Sequence, residues 1–316
     1  MKTANEAAAW LAAHDNYLIF THRRPDGDAF GSAAALCMGL RQIGKDAWVF
    51  PNGERPEFLT DLVAPFFSDG DLTGKTLIYV DMSGYGVLAY NAEHAGGKFV
   101  FGIDHHASNV GFARENYIRP EAAACAEIIY DVLLSLGVEL TKPIAEALYV
   151  GLSTDTGCFR FSNTTAKTLA VASACLQTGI ETFPWNRKLF IEKSIGRLKM
   201  ESYIIENLRS YAGGAVQYCF FPPEKEKEWK LTAIDTDNIA SIPMTVKGTK
   251  LSVVVSVVSD GVKIGMRANE PYDCGKYCTE LGGGGHRAAA GATIPGTVEE
   301  VEKKIFAVLR KNGVEV

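Results

Sequence analysis

The sequence has no long uninterrupted apolar run, and no stretch approaches the ~20 residues that a membrane-spanning helix needs. Its N-terminal residues lack the apolar core of a secretory signal. Its seven cysteines are scattered and include no CxxC pair. Free thiols in a reducing compartment are therefore favoured over a disulfide framework. We expect a cytoplasmic protein that does not enter membranes.

The sequence also lacks an excess of positive charge. It carries 32 Lys and Arg against 37 Asp and Glu, which gives a formal net charge of −5. A protein that tracks long nucleic-acid duplexes needs a broad basic surface, so this class is disfavoured. Small anionic substrates stay open because they require only local positive charge. The length of 316 residues and the 47% hydrophobic content indicate a globular protein of two domains.

In the first half of the chain, short apolar runs alternate with helical patterns. Such alternation predicts an α/β fold with a mainly parallel sheet and right-handed crossovers. The predicted strands are 17–20, 47–50, 76–81 and 98–104. The predicted helices are 4–14, 28–40, one near 56–62, 122–136, 142–153 and 164–178.

The second half has a different pattern. One long helix is predicted from Pro184 to Tyr211, and Gly213-Gly214 ends it. Runs rich in β-branched residues then predict strands at 216–221, 251–258 and 262–267. We therefore predict an N-terminal domain at 1–183, a helical linker at 184–213 and a smaller α+β domain at 214–316.

Ionisable side chains follow three of the predicted strands. Asp104-His105-His106 ends one, His22, Asp26 and Asp28 follow another, and Asp81 ends the third. Ligands of open α/β sheets bind beyond the carboxyl ends of the strands, so these side chains are expected to converge. Imidazole with carboxylates suits Mn²⁺, Mg²⁺ or Fe²⁺ better than structural zinc. The pattern predicts a metal site.

Plainer structural roles also fit two acidic segments, namely the one with Asp26 and Asp28 and a further one with Asp155. The segment with Asp26 and Asp28 also fits a polar loop with an Asp helix cap, and Asp155, in a Thr/Gly-rich turn after a helix, also fits a capping role. Taken together, six side chains suffice for two divalent ions that share the Asp81 carboxylate and one water. They are His22, Asp26, Asp28, Asp81, His105 and Asp155.

Four segments, in this order, resemble the motifs of the DHH phosphoesterase superfamily: HRRPDGDAFGS, VD, DHH and STDTG. That superfamily includes RecJ exonucleases, family II pyrophosphatases, cyclic-dinucleotide phosphodiesterases and NrnA-type nanoRNases. The segment GGGGHRAAAG at 282–291 resembles the signature of the DHH-associated domain. In its length of 316 residues and its lack of extra domains, the sequence resembles the NrnA-like group of oligoribonucleases and 3′-phosphoadenosine 5′-phosphate phosphatases.

The resemblance implies two metal ions, with Mn²⁺ first and Mg²⁺ or Fe²⁺ as alternatives. One ion would take His22, Asp26 and Asp81, and the other Asp28, Asp81, His105 and Asp155. Asp104 would orient an imidazole and His106 would face the scissile phosphate, so both are assigned to catalysis. After Asp81 the chain reads MSGYGV, where many relatives carry a second Asp and an Arg.

The implied activity is hydrolysis of short RNA or of 3′-phosphoadenosine 5′-phosphate, with a cyclic or linear dinucleotide phosphodiesterase as the alternative. Outside the enzymes, the alternative is a metal-dependent nucleotide sensor that has lost its activity. The resemblance also implies a homodimer. Candidate substrate contacts are Arg114, Arg267, Gly283, Gly284, Gly285 and His286, since free N–H groups of a glycine loop and guanidinium groups bind phosphate. The plainer interpretations are a flexible surface loop for the glycine run and a surface ion pair for Arg267.

Overall fold

The computed structural model describes residues 1–316, which divide into two compact units, Met1–Glu192 and Lys193–Val316. The first holds a parallel sheet and the second a mixed sheet, so the predicted α/β class is confirmed. All seven cysteines are free thiols. None of the helices combines the length and the apolar character needed to cross a bilayer.

The N-terminal unit is built on five parallel strands in the order β2-β1-β3-β4-β5. They are β1 (Tyr17–Phe20), β2 (Ala47–Val49), β3 (Thr76–Val80), β4 (Phe101–Asp104) and β5 (Glu115–Ile118). The first four follow the predicted apolar runs. β5 was not predicted, because an edge strand with the polar start Glu115-Asn116 shows no hydrophobic pattern.

Side chains bury both faces of this sheet. Along β1, Tyr17 and Ile19 pack into one apolar cluster, while Leu18 and Phe20 pack into another. Strands buried on both faces are continuous apolar runs, which is why the sequence revealed them. The flanking helices are α1 (Ala4–Ala13), α2 (Gly27–Gln42), α3 (Glu57–Val63), α4 (Cys125–Ser135), α5 (Lys142–Asp155), α6 (Ala166–Gln177) and α7 (Thr182–Asn186).

The C-terminal unit contains a six-stranded sheet in the order β10-β11-β9-β8-β7-β6. Only β7 and β8 pair in parallel. Its elements are α8 (Ile195–Glu206), β6 (Arg209–Tyr211), β7 (Val216–Phe221), α9 (Pro223–Glu228), β8 (Leu251–Val258), β9 (Gly261–Ala268), α10 (Cys274–Glu280), β10 (Gly284–Gly285), β11 (Ala289–Ile294) and α11 (Val298–Lys311). Val301, Ile305 and Leu309 of α11 are fully buried in its core.

The predicted single helix over 184–211 is wrong. The segment consists of the end of α7, a π-helical turn at Arg187–Ile191 and the separate helix α8. The backbone is extended at Glu192, and Ser194 caps α8 by accepting the Arg197 N–H. The sequence contained a signal for this break, because serine is a preferred N-cap residue and Ser194 marks the start of a new helix.

Candidate metal centre

The carboxyl ends of β1, β3 and β4 bring their polar side chains together around Asp81. The Asp81 carboxylate lies between three imidazoles. Its Oδ2 is 3.6 Å from Nε2 of His22, and its Oδ1 is 3.4 Å from Nε2 of His105 and 3.6 Å from Nδ1 of His106. Asp81 is thus the residue that the two halves of the cluster share.

Asp81 is unusual in its burial, its hydrogen bonding and its backbone conformation. Its side chain is buried and its Oδ1 has no hydrogen-bond partner. Its backbone has a φ of +52°, a left-handed conformation that Asp and Asn tolerate better than most residues. A buried acceptor without a donor costs free energy, and a cation satisfies it.

The other predicted carboxylates divide between the two sides of Asp81. Asp26 Oδ1 is 3.8 Å from Nε2 of His22. On the opposite side, Nε2 of His105 is 3.2 Å from Asp155 Oδ2 and 3.9 Å from Asp28 Oδ2. Ligand atoms of His22, Asp26 and Asp81 therefore form one group, and those of Asp28, His105 and Asp155 form a second. A third group, formed by Asp81, His105 and His106, overlaps both and adds His106 as a further candidate ligand.

Backbone carbonyls orient two of the imidazoles. His22 Nδ1 is 2.9 Å from the carbonyl oxygen of Arg23, and His105 Nδ1 is 3.3 Å from that of Ala122. A carbonyl oxygen only accepts, so each Nδ1 carries a hydrogen, and Nε2 is the nitrogen whose lone pair becomes available once the ring is neutral. Both rings therefore direct Nε2, the nitrogen that would bind a metal ion, toward the carboxylates.

The structure also resolves the capping alternatives. Asp26 does cap α2, because its Oδ1 accepts the N–H groups of Asp28 and Ala29. This role leaves Oδ2 free, so capping and metal binding are compatible. Asp155 accepts no N–H group with its carboxylate and has no capping role.

Asp28 has a structural role that was not visible in the sequence. Its carboxylate accepts the N–H groups of Cys125 at 2.6 Å and of Ala126 at 2.9 Å, at the N-terminus of α4. α4 has no side-chain cap of its own, so Asp28 caps it from 97 residues away. One carboxylate thus joins α2, α4 and the metal-ligand cluster.

Asp104 and His106 are linked to each other beside the cluster. The Oδ1 of Asp104 is 2.8 Å from Nδ1 of His106, which leaves Nε2 of His106 free. The Nδ2 of Asn109 donates to Oδ2 of Asp104 at 2.7 Å and also to the Tyr79 hydroxyl. In the sequence, Asn109 is notable only as a strand boundary. Its three donated bonds exist only in the folded chain.

The cluster is electrostatically strained without a cation. Burial raises the pKa of Asp28 well above its usual value, and the negative charge of Asp81 adds to the shift. Burial likewise raises the pKa of Asp155 to about 6. Burial would also raise the pKa of Asp81, but its interactions with the nearby imidazoles of His105 and His22 outweigh burial and lower that pKa. Carboxylates that resist ionisation beside one another are the environment in which a divalent ion binds.

Metal binding is expected to release protons at neutral pH. Burial disfavours the charged imidazolium, but carboxylate partners dominate and raise the pKa of His22 to about 11 and of His105 to about 12. Both rings are therefore protonated at pH 7 without metal and must become neutral to bind it. Calorimetry of Mn²⁺ binding in two buffers of different ionisation enthalpy measures the protons released, up to about two.

The affinity for Mn²⁺ should also fall as the pH drops from 7 to 5, because Asp155, with a pKa of about 6, gains a proton in that range. Equal binding heats in both buffers, with an affinity independent of pH, would contradict this assignment of the ligands.

The candidate substrate contacts are not all where the sequence indicated. Arg114 precedes β5, and its N–H donates to the carbonyl of Phe99, at the amino end of the sheet. The metal-ligand cluster lies at the opposite, carboxyl edge, so the structure does not bring the backbone of Arg114 to the cluster, and its contact with substrate stays a prediction.

In the C-terminal unit, Arg267 lies on β9 and donates to Oδ1 of Asn238 at 2.8 Å. The glycine run differs from the expected loop of free N–H groups, because Gly283 donates to the carbonyl of Cys278 and His286 to that of Ala289. Gly284 and Gly285 pair with β11. Close approach rather than free N–H groups accounts for Gly283, where a Cβ would lie 2.2 Å from the carbonyl oxygen of Gly291.

Comparisons with known proteins agree with this architecture. A model of the DHH family, N-terminal domain, matches residues 16–152, and a model of the DHHA1 domain matches 213–312. The bifunctional oligoribonuclease and PAP phosphatase NrnA of Thermus thermophilus is 32% identical over 301 residues, 93% of this chain and 89% of that protein. The NrnA of Bacillus subtilis is 26% identical, over 93% of each chain.

Among solved structures, an exopolyphosphatase-related protein from Bacteroides fragilis superposes with a TM-score of 0.87. The two chains are 24% identical, and the match covers 98% of this chain and 95% of that one. At this identity the likeness shows the fold. Since a relative above 30% identity spans almost the whole chain, and both domain models match in order, the chain belongs to the DHH family, with an N-terminal DHH domain followed by a DHHA1 domain.

Proposed function

We propose that this protein is a metal-dependent phosphoesterase that hydrolyses short oligoribonucleotides and 3′-phosphoadenosine 5′-phosphate. The observation that carries the proposal is the buried Asp81 carboxylate, whose two oxygens face His22 on one side and His105 on the other and which belongs to two overlapping groups of candidate metal ligands. The NrnA relatives, named for oligoribonuclease and PAP phosphatase activity, supply the substrate class.

The residues present fit two divalent cations. His22, Asp26 and Asp81 are assigned to one cation, and Asp28, Asp81, His105 and Asp155 to the other. The unpaired Oδ1 of Asp81 and the raised pKa values of Asp28 and Asp155, caused first by burial, support this assignment. Bound there, such ions lower the pKa of a water nucleophile and stabilise charge on the attacking and leaving oxygens. The hard donor set favours Mn²⁺, with Mg²⁺ or Fe²⁺ as alternatives.

The residues around the cluster have separate tasks. Asp104 accepts a hydrogen bond from Nδ1 of His106 and raises the pKa of that ring, which favours the imidazolium form in which Nε2 also carries a hydrogen. The side chain of His106 is 41% exposed, which leaves it open to a substrate. We assign its Nε2–H to the scissile phosphate or the leaving oxygen, as a hydrogen-bond donor and proton source.

The C-terminal unit is assigned to substrate binding. Arg267 is suited to a terminal phosphate because a guanidinium group binds phosphate bidentately. His286 is exposed beside the glycine strand β10 and is assigned to the same ligand. Neither residue has a nucleophilic role. Recognition of one end of a nucleotide favours very short substrates and fits the net charge of −5.

The proposal is tested with purified protein, Mn²⁺ and a panel of RNAs of about 2 to 24 nucleotides, 3′-phosphoadenosine 5′-phosphate, cyclic di-AMP and pyrophosphate. We expect the shortest RNAs to be converted to mononucleotides fastest, and 3′-phosphoadenosine 5′-phosphate to lose its 3′-phosphate. Faster turnover of cyclic di-AMP or a single dinucleotide favours the dinucleotide phosphodiesterase instead. Predominant cleavage of pyrophosphate, or complete inertness, would refute both.

A further inference from the structure

A second feature of the N-terminal unit lies next to the metal-ligand cluster. It is a cavity of about 370 Å³, which we call the tyrosine pocket, lined by Arg23, Tyr85, Leu88, Tyr90 and Glu93. Its volume is within the range of small-molecule sites. None of the roles assigned above uses this cavity.

The backbone connects the tyrosine pocket directly to the candidate metal centre. His22 forms a β-bridge with Leu88, and the Arg23 N–H donates to the carbonyl of Val87 at 2.6 Å. The residue after a metal-ligand candidate therefore lines the pocket.

The pocket walls are aromatic and exposed. Tyr90 is 60% and Tyr85 42% exposed. The Tyr85 hydroxyl donates to the carbonyl of Phe112 at 3.1 Å and its ring packs on Phe112, which fixes it in place. Exposed aromatic rings, here Tyr90 and the anchored Tyr85, are typical surfaces for base stacking.

The two charged side chains of the pocket, Arg23 and Glu93, have no hydrogen-bond or ion-pair partner in the protein. The Arg23 guanidinium lies over the Tyr90 ring, 4.6 Å from its centroid, but donates no hydrogen bond and forms no ion pair. The Glu93 carboxylate also accepts no hydrogen bond, and it does not pair with Arg23 although both line the same cavity. A free donor and a free acceptor are thus available to one ligand.

We propose that the tyrosine pocket is a nucleobase subsite that prefers guanine. The inference rests on the proposed function, since a nucleotide substrate is what brings a base to this edge. Arg23 can donate to O6 and N7 of guanine, while Glu93 accepts from its amino group. Adenine presents a donor where guanine has O6, so Arg23 disfavours it. A carboxylate in the pocket also disfavours a phosphate as the occupant.

The test uses guanosine and adenosine as ligands, because neither carries a phosphate and binding is therefore independent of turnover. By calorimetry on the full chain, guanosine should bind more tightly than adenosine. Tyr90→Ala should weaken guanosine binding about 5- to 150-fold. Tyr90→Phe keeps the ring and should bind guanosine as the wild type does. Phe183→Ala removes a ring of similar exposure elsewhere and should leave guanosine binding unchanged.

A second variant tests the base preference. Glu93→Gln should lower the ratio of guanosine to adenosine affinity about 5- to 150-fold, because the amide presents a donor as well as an acceptor. Equal affinities in the wild type, or a Tyr90→Ala variant that binds guanosine normally, would overturn the proposal. A Tyr90→Ala variant that changes only the oligomeric state in sedimentation would identify the pocket as an interface between copies and would also overturn it.

These results separate the two proposals. Guanosine binding that depends on Tyr90, in a protein inert toward every phosphoester of the panel, supports the subsite and removes the proposed function. Active protein without such binding removes the subsite alone. With active protein, Tyr90→Ala should lower kcat/KM for a guanine dinucleotide and leave it unchanged for the analogue with an abasic nucleotide in that position.

Discussion

Asp81→Asn is expected to lower turnover by about 10³-fold or more, the largest effect of any single substitution in the chain. Asp81 is the carboxylate common to both halves of the cluster, with Oδ2 facing His22 and Oδ1 facing His105. One substitution therefore removes a ligand from both candidate ion sites. Asn is the suitable replacement because it tolerates the left-handed φ of +52° at this position.

Thermal unfolding distinguishes loss of metal from loss of fold. Mn²⁺ at about 100 times its Kd stabilises a protein that binds it at one site by about 2.7 kcal/mol. The wild type should show this gain and Asp81→Asn should not, while both unfold cooperatively without metal. Asp61→Asn, a change of the same type on the exposed surface of α3, serves as the control and should behave as the wild type. Undiminished turnover by Asp81→Asn would contradict the shared-ligand role.

Gly31→Ala is expected to lower the free energy of unfolding by about 2 kcal/mol, although Ala is the better helix former. A Cβ at position 31 would lie 2.3 Å from the carbonyl oxygen of Ala147 and 3.1 Å from the N of Gly151, both backbone atoms of α5. Backbone cannot rotate away, so α2 and α5 must separate. Because α2 carries Asp28 and α5 carries Asp155, activity should fall as well.

The same helix provides a matched control. A Cβ at Gly39 would lie 2.2 Å from Cδ2 of Leu133, which is the end of a flexible side chain. Gly39→Ala should therefore be neutral or slightly stabilising, by up to about 1 kcal/mol. Urea unfolding of both variants measures the difference. Equal stabilities would show that the contact between α2 and α5 is not the constraint that the structure indicates.

Much of the fold was predictable where the hydrophobic pattern is strong. Runs such as Tyr17–Phe20 and Thr76–Val80 are buried on both faces, so a continuous apolar stretch identifies them. The pattern failed for β5, whose first residues are polar, and at Glu192, where an extended backbone interrupts an otherwise helical composition. Local propensity is a weak guide where tertiary contacts decide the conformation.

By itself the sequence predicted most side chains of the candidate site, because strand ends are local features and their carboxyl ends converge in any parallel sheet. Asp155, at the end of a helix, was predicted from its Thr/Gly-rich turn and the STDTG motif instead. Only the tertiary structure decided how those side chains are held. The cap that Asp28 gives to α4, the bond from Asn109 to Asp104, the position of Arg114 at the far edge of the sheet and the free Arg23 and Glu93 of the tyrosine pocket all depend on it. Each depends on distances between atoms that are remote in the chain or on the direction of a side chain, and neither is encoded in residue spacing.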